Sequence, residues 1–376
     1  MTATRRDLML AGSALAATAG ATAASAAGTQ AQARARGAMP AWQVGEQRGI
    51  ASLQRVQRAL PAPGAGEVVV RVHASALNHR DLSIVSGRYG AAKPPARVAV
   101  GDGSGEIIEI GTGVAQWRVG ERVTAPHFVD WVDGAYTPAI FARDLGNTAD
   151  GWLAQYIVLP AHALVRVPEA ITHAEAAALG AAGITAWAVI ESFAQAKPGD
   201  IVLALGTGGV SVLALQLAKM AGATVAITSS SDQKLALMRE LGADIVVNYR
   251  RQPDWPAAVR AATGGRGVDI VVETVGMTSL PQSLACCAPN ARLGLLGALG
   301  GRPQGASDLS AMIGTNAVIK GITSGSRRML EDLLRACAAR GLKPRIDRVF
   351  DFDQVVEAYQ YLESGAHVGK VVIRHV

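Results

Sequence analysis

The sequence predicts an α/β chain in two parts, a β-rich domain and a doubly wound parallel-sheet domain, with a short final return to the first. Three observations predict this. From Trp42 to about Pro160, short apolar runs alternate with Gly and Pro, as in "GEVVVRVHASAL", "RVAVGDGSGEIIEIGTGV" and "GERVTAP", which reads as strands and tight turns. From about Leu164 the rhythm becomes strand-like runs alternating with longer helical patterns: "DIVLALG" then "VSVLALQLAKMAG", "TVAITSS" then "DQKLALMRELG", and on to "VDIVVETVG". Finally, "RVFDFDQVVEAYQYLESGAHVGKVVIRHV" gives a helix and a terminal strand. The expected boundaries are 39–163, 164–344 and 345–376, with residues 1–38 set apart as a leader.

The leader "TRRDLMLAGSALAATAGATAASAA" places Arg5 and Arg6 before an Ala-rich apolar run and small-residue sites, the order of a twin-arginine export signal and so of a periplasmic protein. The alternative is a cytoplasmic start at Met39, directly before "PAWQV". No later apolar run is long enough to span a bilayer. The net charge is +6 over 376 residues, but Arg5, Arg6, Arg34 and Arg36 fall within the leader and no basic run follows. A nucleic-acid partner is therefore not expected. Three cysteines, Cys286, Cys287 and Cys337, form no C-x-x-C pair, which disfavours both a disulfide framework and a four-thiolate zinc lobe.

In the second part, "DIVLALG" runs into Gly206-Thr207-Gly208-Gly209-Val210-Ser211, which opens an apolar helix. Glycine suits this turn because the backbone must bend sharply, approach a pyrophosphate without a Cβ in the way, and aim helix N-terminal amides at its charge. Strand, turn, helix and next strand occur in the order a dinucleotide site requires. At the end of the second strand an NAD site presents Asp or Glu to the ribose; here stands "AITSSSDQK", with Ser229 at that place. Ser229, Ser230 and Lys234 can hold a 2′-phosphate that a carboxylate would repel, so NADPH is favoured over NADH. Lys234 on a solvated helix face, and Ser230 or Ser231 as a helix cap, are the plainer readings of the same residues.

These segments, with "ALNHRDL", "GWLAQYIVLP", "GADIVVNYR" and "GAHVGKVVI", resemble the medium-chain dehydrogenase/reductase superfamily, and within it the zinc-independent quinone oxidoreductase and alcohol dehydrogenase-like branch. The resemblance implies a GroES-like catalytic domain, a Rossmann domain and an active site in the cleft between them. It further implies Tyr249 beside the 2′-phosphate, Thr185 on the nicotinamide side, Gly276 and Leu296-Gly297 in neighbouring loops, Lys370 near the phosphates and Arg327 either in the cleft or on the surface. Zinc-dependent relatives carry metal ligands at positions that here hold Asn78, Gly101-Asp102 and Ala181, and only Asp102 is a plausible donor. His79 is a stray candidate ligand. "VDWVDGAYTPAIFARDLGNTADG" has no Cys for a structural zinc, so the expectation is a protein without a metal site.

Hydride transfer still requires something to receive the negative charge that develops on the acceptor oxygen. Asn78 and Tyr89 are the candidate donors, because "NHRDLSIVSGRYG" is similar to the pattern of zinc-free enoyl reductases, whose matching Tyr helps protonate the product. Tyr89 can equally be a turn residue covering apolar surface. Asp81 reads as structural, Arg80 as a substrate contact, and His127 and Trp131 as lining or packing on the pocket. The expected activity is NADPH-dependent reduction of a quinone, enone or small carbonyl compound. A zinc-free alcohol dehydrogenase or carbonyl reductase is the nearer alternative, and an NADP-binding sensor with little turnover the farther one. A homodimer rests on resemblance alone.

Overall fold

The computed structural model describes residues 37–375 except 92, 94, 298, 302, 304, 306 and 307. The expected leader lies outside the described residues but for Gly37 and Ala38, and the first strand already begins at Ala38. Strands β1 (Ala38–Val44), β2 (Leu53–Ala59), β3 (Glu67–Leu77), β4 (Arg97–Val98), β5 (Asp102–Ile110), β6 (Arg122–Thr124), β7 (Tyr156–Pro160) and β8 (Val165–Arg166) build the first domain. β3 explains its own central place: Val68, Val69, Val70, Val72, Ala74, Ala76 and Leu77 are all buried, so neither face tolerates water. Burying one such Val or Leu contributes about 1.5–3 kcal/mol, which makes β3 the strand the domain is assembled on.

The second domain is a six-stranded parallel sheet of β9 (Ile201–Leu205), β10 (Thr224–Ser229), β11 (Ile245–Asn248), β12 (Val268–Glu273), β13 (Cys287–Leu295) and β14 (Val318–Gly321). Its order is β11-β10-β9-β12-β13-β14, with every pairing parallel. The order reverses between β9 and β12, and in such sheets ligands bind outside the carboxyl ends of the strands at that switch. β15 (Ile346–Asp351) and β16 (Lys370–Arg374) then return, β16 pairing antiparallel with β3 and parallel with β15. The tail thus completes the sheet β15-β16-β3-β5-β6-β8 of the first domain. Both the GroES-like domain and the Rossmann-like domain follow the expected class.

One local expectation fails. The segment after Asn78, read as part of an all-β region, is the helix His79–Val85. The Asn78 amide donates to the Asp81 carboxylate at 2.8 Å, and Leu82, Ile84 and Val85 turn inward, so the cap and one apolar face make the helix.

Candidate active site

The glycine turn lies where β9 ends. Gly206 has φ 78°, a left-handed conformation that favours glycine, and its amide donates to Thr228 O at 2.9 Å. A Cβ built at Gly206 or Gly208 meets nothing within 4 Å, so the turn is open to an approaching group. Gly209 begins the helix Gly209–Met220, and Val210 in its first turn packs on the sheet core. The first-turn amides of this helix, opened by glycine, fit a pyrophosphate.

Beside the turn, Ser229 is buried at the end of β10, and its Oγ accepts from Ser231 N at 3.3 Å. Ser231, rather than Ser230, caps the helix Asp232–Glu240 by accepting from Lys234 N. Lys234 does not stand free for a phosphate: its Nζ donates to Gly365 O at 2.5 Å and His367 O at 3.0 Å, tying the helix to the returning tail. Tyr249 is exposed, with its amide on Ser229 O at 3.1 Å, which sets it at the same end of the sheet. Exposed Arg250 is adjacent, a cation whose place only the fold reveals.

On the other flank, the buried Glu273 carboxylate accepts from Val275 N, Gly276 N, Ser279 Oγ and Ser283 Oγ. Its carbonyl accepts from Leu296 N and Gly297 N, both at 3.1 Å, and a Cβ at Gly297 would lie 1.5 Å from Thr274 O. The loops carrying Gly276 and Leu296-Gly297 are therefore held together at the carboxyl edge of the sheet. Thr185 is buried, and its hydroxyl donates back to Ala181 O at 2.6 Å instead of standing free.

The tail meets the turn directly. Gly369 N donates to Thr207 O at 3.0 Å, and a Cβ at Gly209 would touch Lys370 Cδ at 2.8 Å. Yet the Lys370 ammonium is taken up within the β-rich domain, donating to Leu77 O at 2.7 Å and Asn78 Oδ1 at 2.6 Å, 4.0 Å from Asp102. Burial lowers its pKa, opposed by Asp102 and Asp81. Asn78 Nδ2 in turn donates to Asp102 Oδ2 at 2.7 Å, and Ala181 N donates to the same carboxylate at 2.9 Å. Asn78 is thus a link between Lys370 and Asp102, not the spare oxygen-binding donor expected of it.

This donor set does not fit a zinc ion. Of the positions that carry metal ligands in zinc-dependent relatives, Asp102 alone holds a carboxylate, and it already accepts from Asn78 and Ala181, with an ammonium close by. Among the described residues, one group with metal-capable atoms within 4.8 Å of one another is His73, Glu106 and His173, elsewhere in the β-rich domain. There the two imidazoles stack at 4.4 Å with 9° between their planes, so their in-plane nitrogen lone pairs do not converge on one nearby ion. Arg71 Nη2 also holds Glu106 at 2.6 Å.

A second network runs from Tyr89 across to the Rossmann-like domain. The Arg80 guanidinium lies over the Tyr89 ring, 5.1 Å from its centroid, and burial raises the phenol's pKa against the pull of Arg80. Arg80, expected on substrate, is an internal ion pair: Nη2 reaches Asp144 Oδ1 at 2.6 Å and Nη1 reaches Leu145 O at 3.1 Å. His127 Nδ1 contacts the same Asp144 oxygen at 2.8 Å, and His127 Nε2 contacts Ser324 Oγ at 3.2 Å. Burial works to raise the Asp144 pKa, but Arg80 and His127 prevail and hold it below the usual range. Trp131 packs with Phe128 and Ile140 as its Nε1 donates to Gly134 O. Arg327 spans the domain edge, its amide on Trp131 O and Nη1 on Leu164 O, and its side chain is partly exposed. His79 is exposed at the start of its helix. Nothing in the sequence pattern singles out Asp144 or Ser324, which lie 180 positions apart; a positive φ of 150° at a serine is visible only in the fold.

A glycine turn at the switch of a parallel sheet, facing a β-rich domain completed by the tail, defines a two-domain nicotinamide-nucleotide oxidoreductase. Comparison with known proteins agrees. Residues 64–169 match the model for the alcohol dehydrogenase GroES-like domain, and residues 209–339 match that for zinc-binding dehydrogenase. A zinc-type alcohol dehydrogenase-like protein of Schizosaccharomyces pombe is 42% identical over 316 residues, 82% of this chain and 91% of the relative. An NAD-dependent alcohol dehydrogenase of known structure superposes with a TM-score of 0.82 at 32% identity, covering 90% of this chain and 100% of that one. The quinone oxidoreductase of Coxiella burnetii superposes with a TM-score of 0.73 at 25% identity, covering 90% and 100%. The chain belongs to the medium-chain dehydrogenase/reductase superfamily and is an oxidoreductase of its alcohol dehydrogenase-like type.

Proposed function

We propose that this chain is a zinc-free, NADPH-dependent reductase of a quinone, enone or related small carbonyl compound. The observation that carries the reading is the replacement of metal donors by a closed Lys370–Asn78–Asp102 linkage beside the cofactor turn. When bound, the cofactor supplies hydride; the chain orients it and manages charge on the acceptor oxygen. Acceptors that delocalise that charge themselves demand least of a site without a Lewis acid. Tyr89, kept neutral by burial, stays the donor candidate on the catalytic side. Ser229 in place of an acid, with Tyr249 and Arg250 alongside, supports NADPH over NADH.

Stopped-flow oxidation of bound NADPH with a quinone, an enone and a simple ketone tests the reading. Quinone or enone turnover at least tenfold faster than ketone turnover is expected; preference for the ketone favours the alcohol dehydrogenase reading, which the similarity to such an enzyme supports. Oxidation with none of them leaves a binding protein. Tyr89→Phe with unaltered enone turnover removes the donor role. A homodimer belongs to the same reading, supported by the edge strand β14 with Val318 and nearby Ile313 exposed; light scattering at the mass of one chain contradicts it. Periplasmic export is checked by N-terminal sequencing of the mature protein from fractionated cells, where a chain starting at residue 1 or Met39 would contradict cleavage.

A further inference from the structure

We propose that Ser324, His127 and Asp144 form a proton relay that serves the acceptor oxygen, with Ser324 as its terminal group. The inference rests on the reductase reading above and gives the proton-donor role to residues outside the glycine turn and the Asn78 loop, in place of Tyr89. The geometry is that of a fixed imidazole between an acid and a hydroxyl. Asp144, fully buried, meets His127 Nδ1 at 2.8 Å, while Nε2 lies 3.2 Å from Ser324 Oγ. Asp144 is itself immobilised: Arg80 Nη2 shares Oδ1 and Asn147 Nδ2 donates to Oδ2 at 3.1 Å. A carboxylate so held fixes the proton on Nδ1 and leaves Nε2 for exchange with the hydroxyl.

The sheet sets Ser324 just past the end of its last strand. Ser324 follows β14, and the preceding Ile322 amide continues the ladder by donating to Leu295 O at 2.9 Å. This puts Ser324 at the carboxyl edge of the parallel strands, on the side of the Gly206 turn and the Leu296-Gly297 loop. His127 and Asp144 come from the other domain, so the relay exists only where the two domains meet. A serine at φ 150° carries backbone strain, and such strain persists where the surroundings over-determine it.

A bound nicotinamide cofactor would supply the hydride and with it two electrons, so the acceptor oxygen needs one proton. The acceptor oxygen would take the Ser324 Oγ proton as Ser324 takes a proton from His127 Nε2. His127 keeps its Nδ1 proton against Asp144, and solvent returns a proton to Nε2. Besides Asp144, the charged or titratable groups around this ring are Arg80, joined to the same carboxylate, and Asp81 and Tyr89 beyond Arg80.

Steady-state and stopped-flow reduction of an enone by NADPH, across pH 5–9 in water and heavy water, tests this on the full chain. Ser324→Ala and His127→Gln should each lower kcat about 100-fold. NADPH affinity should change less than about threefold, and melting temperatures should show both variants folded. His127→Gln should also change the pH profile and the heavy-water effect seen in the wild-type chain. Wild-type rates and an unchanged pH profile in both variants overturn the relay alone. A lowered rate that keeps the wild-type pH profile in His127→Gln reduces His127 to packing and overturns it too. No NADPH oxidation by the wild-type chain overturns the reductase reading, and the relay falls with it.

Discussion

At the scale of single residues, Lys370 decides how the catalytic side is organised. Its ammonium is buried against Asn78, Leu77 O and Asp102, and removing one member of a buried charged set strands the other. Asp102→Ala should therefore cost about 3–5 kcal/mol, since it also frees Ala181 N, and should appear as a large drop in melting temperature. A melting temperature within a degree of wild type would show that Asp102 holds nothing. Asp144 gives a second expectation. Its folded pKa is depressed, so it contributes stability above its unfolded value near 4 that is lost as pH falls through the lower folded value. Asp144→Asn should flatten the stability curve below about pH 4, as read by urea melts.

At the scale of elements, the loops around the cofactor turn are fixed by contacts that leave no room for a side chain. Gly297→Ala places a Cβ on Thr274 O and should weaken both NADPH binding and stability, measured by nucleotide fluorescence and thermal melts. The β3–β16 sheet adds a pH limb of its own. Burial depresses His375, which meets Ser75 Oγ at 2.8 Å, to about 3. A histidine depressed in the fold binds fewer protons than in the unfolded chain, so stability falls as pH drops from about 6.5 toward 4. His375→Asn should reduce that slope by on the order of 1 kcal/mol per pH unit; an unchanged slope contradicts it. Strands and the nucleotide turn were legible because their signals are local: period, glycine placement and the strand–turn–helix order around Gly206. The helix His79–Val85 was not, because seven residues show too little periodicity and its form depends on Asp81 and on distant packing. Asn78, Arg80 and Lys370 were picked out by position, but their partners come from segments far away in sequence, and partners decide what a side chain does.

At the scale of the whole molecule, the two domains are joined at several points: Asp102 to Ala181, Lys234 to the carbonyls of Gly365 and His367, Gly369 to Thr207, and His127 to Ser324. Deleting residues 366–376 removes β16 from between β15 and β3, exposes the buried face of β3, and should leave the β-rich domain unfolded by near-ultraviolet dichroism. Retained native dichroism in that truncation would mean the sheet closes without its last strand. The position of β16 also dictates an order of assembly during synthesis. The parallel-sheet domain is contiguous in sequence and can close while the chain is still being made, whereas the β-rich domain waits for the final residues to emerge. Its unpaired β3 edge is therefore the surface exposed longest on the nascent chain, and the nucleotide turn exists before the Lys370 linkage can form beside it.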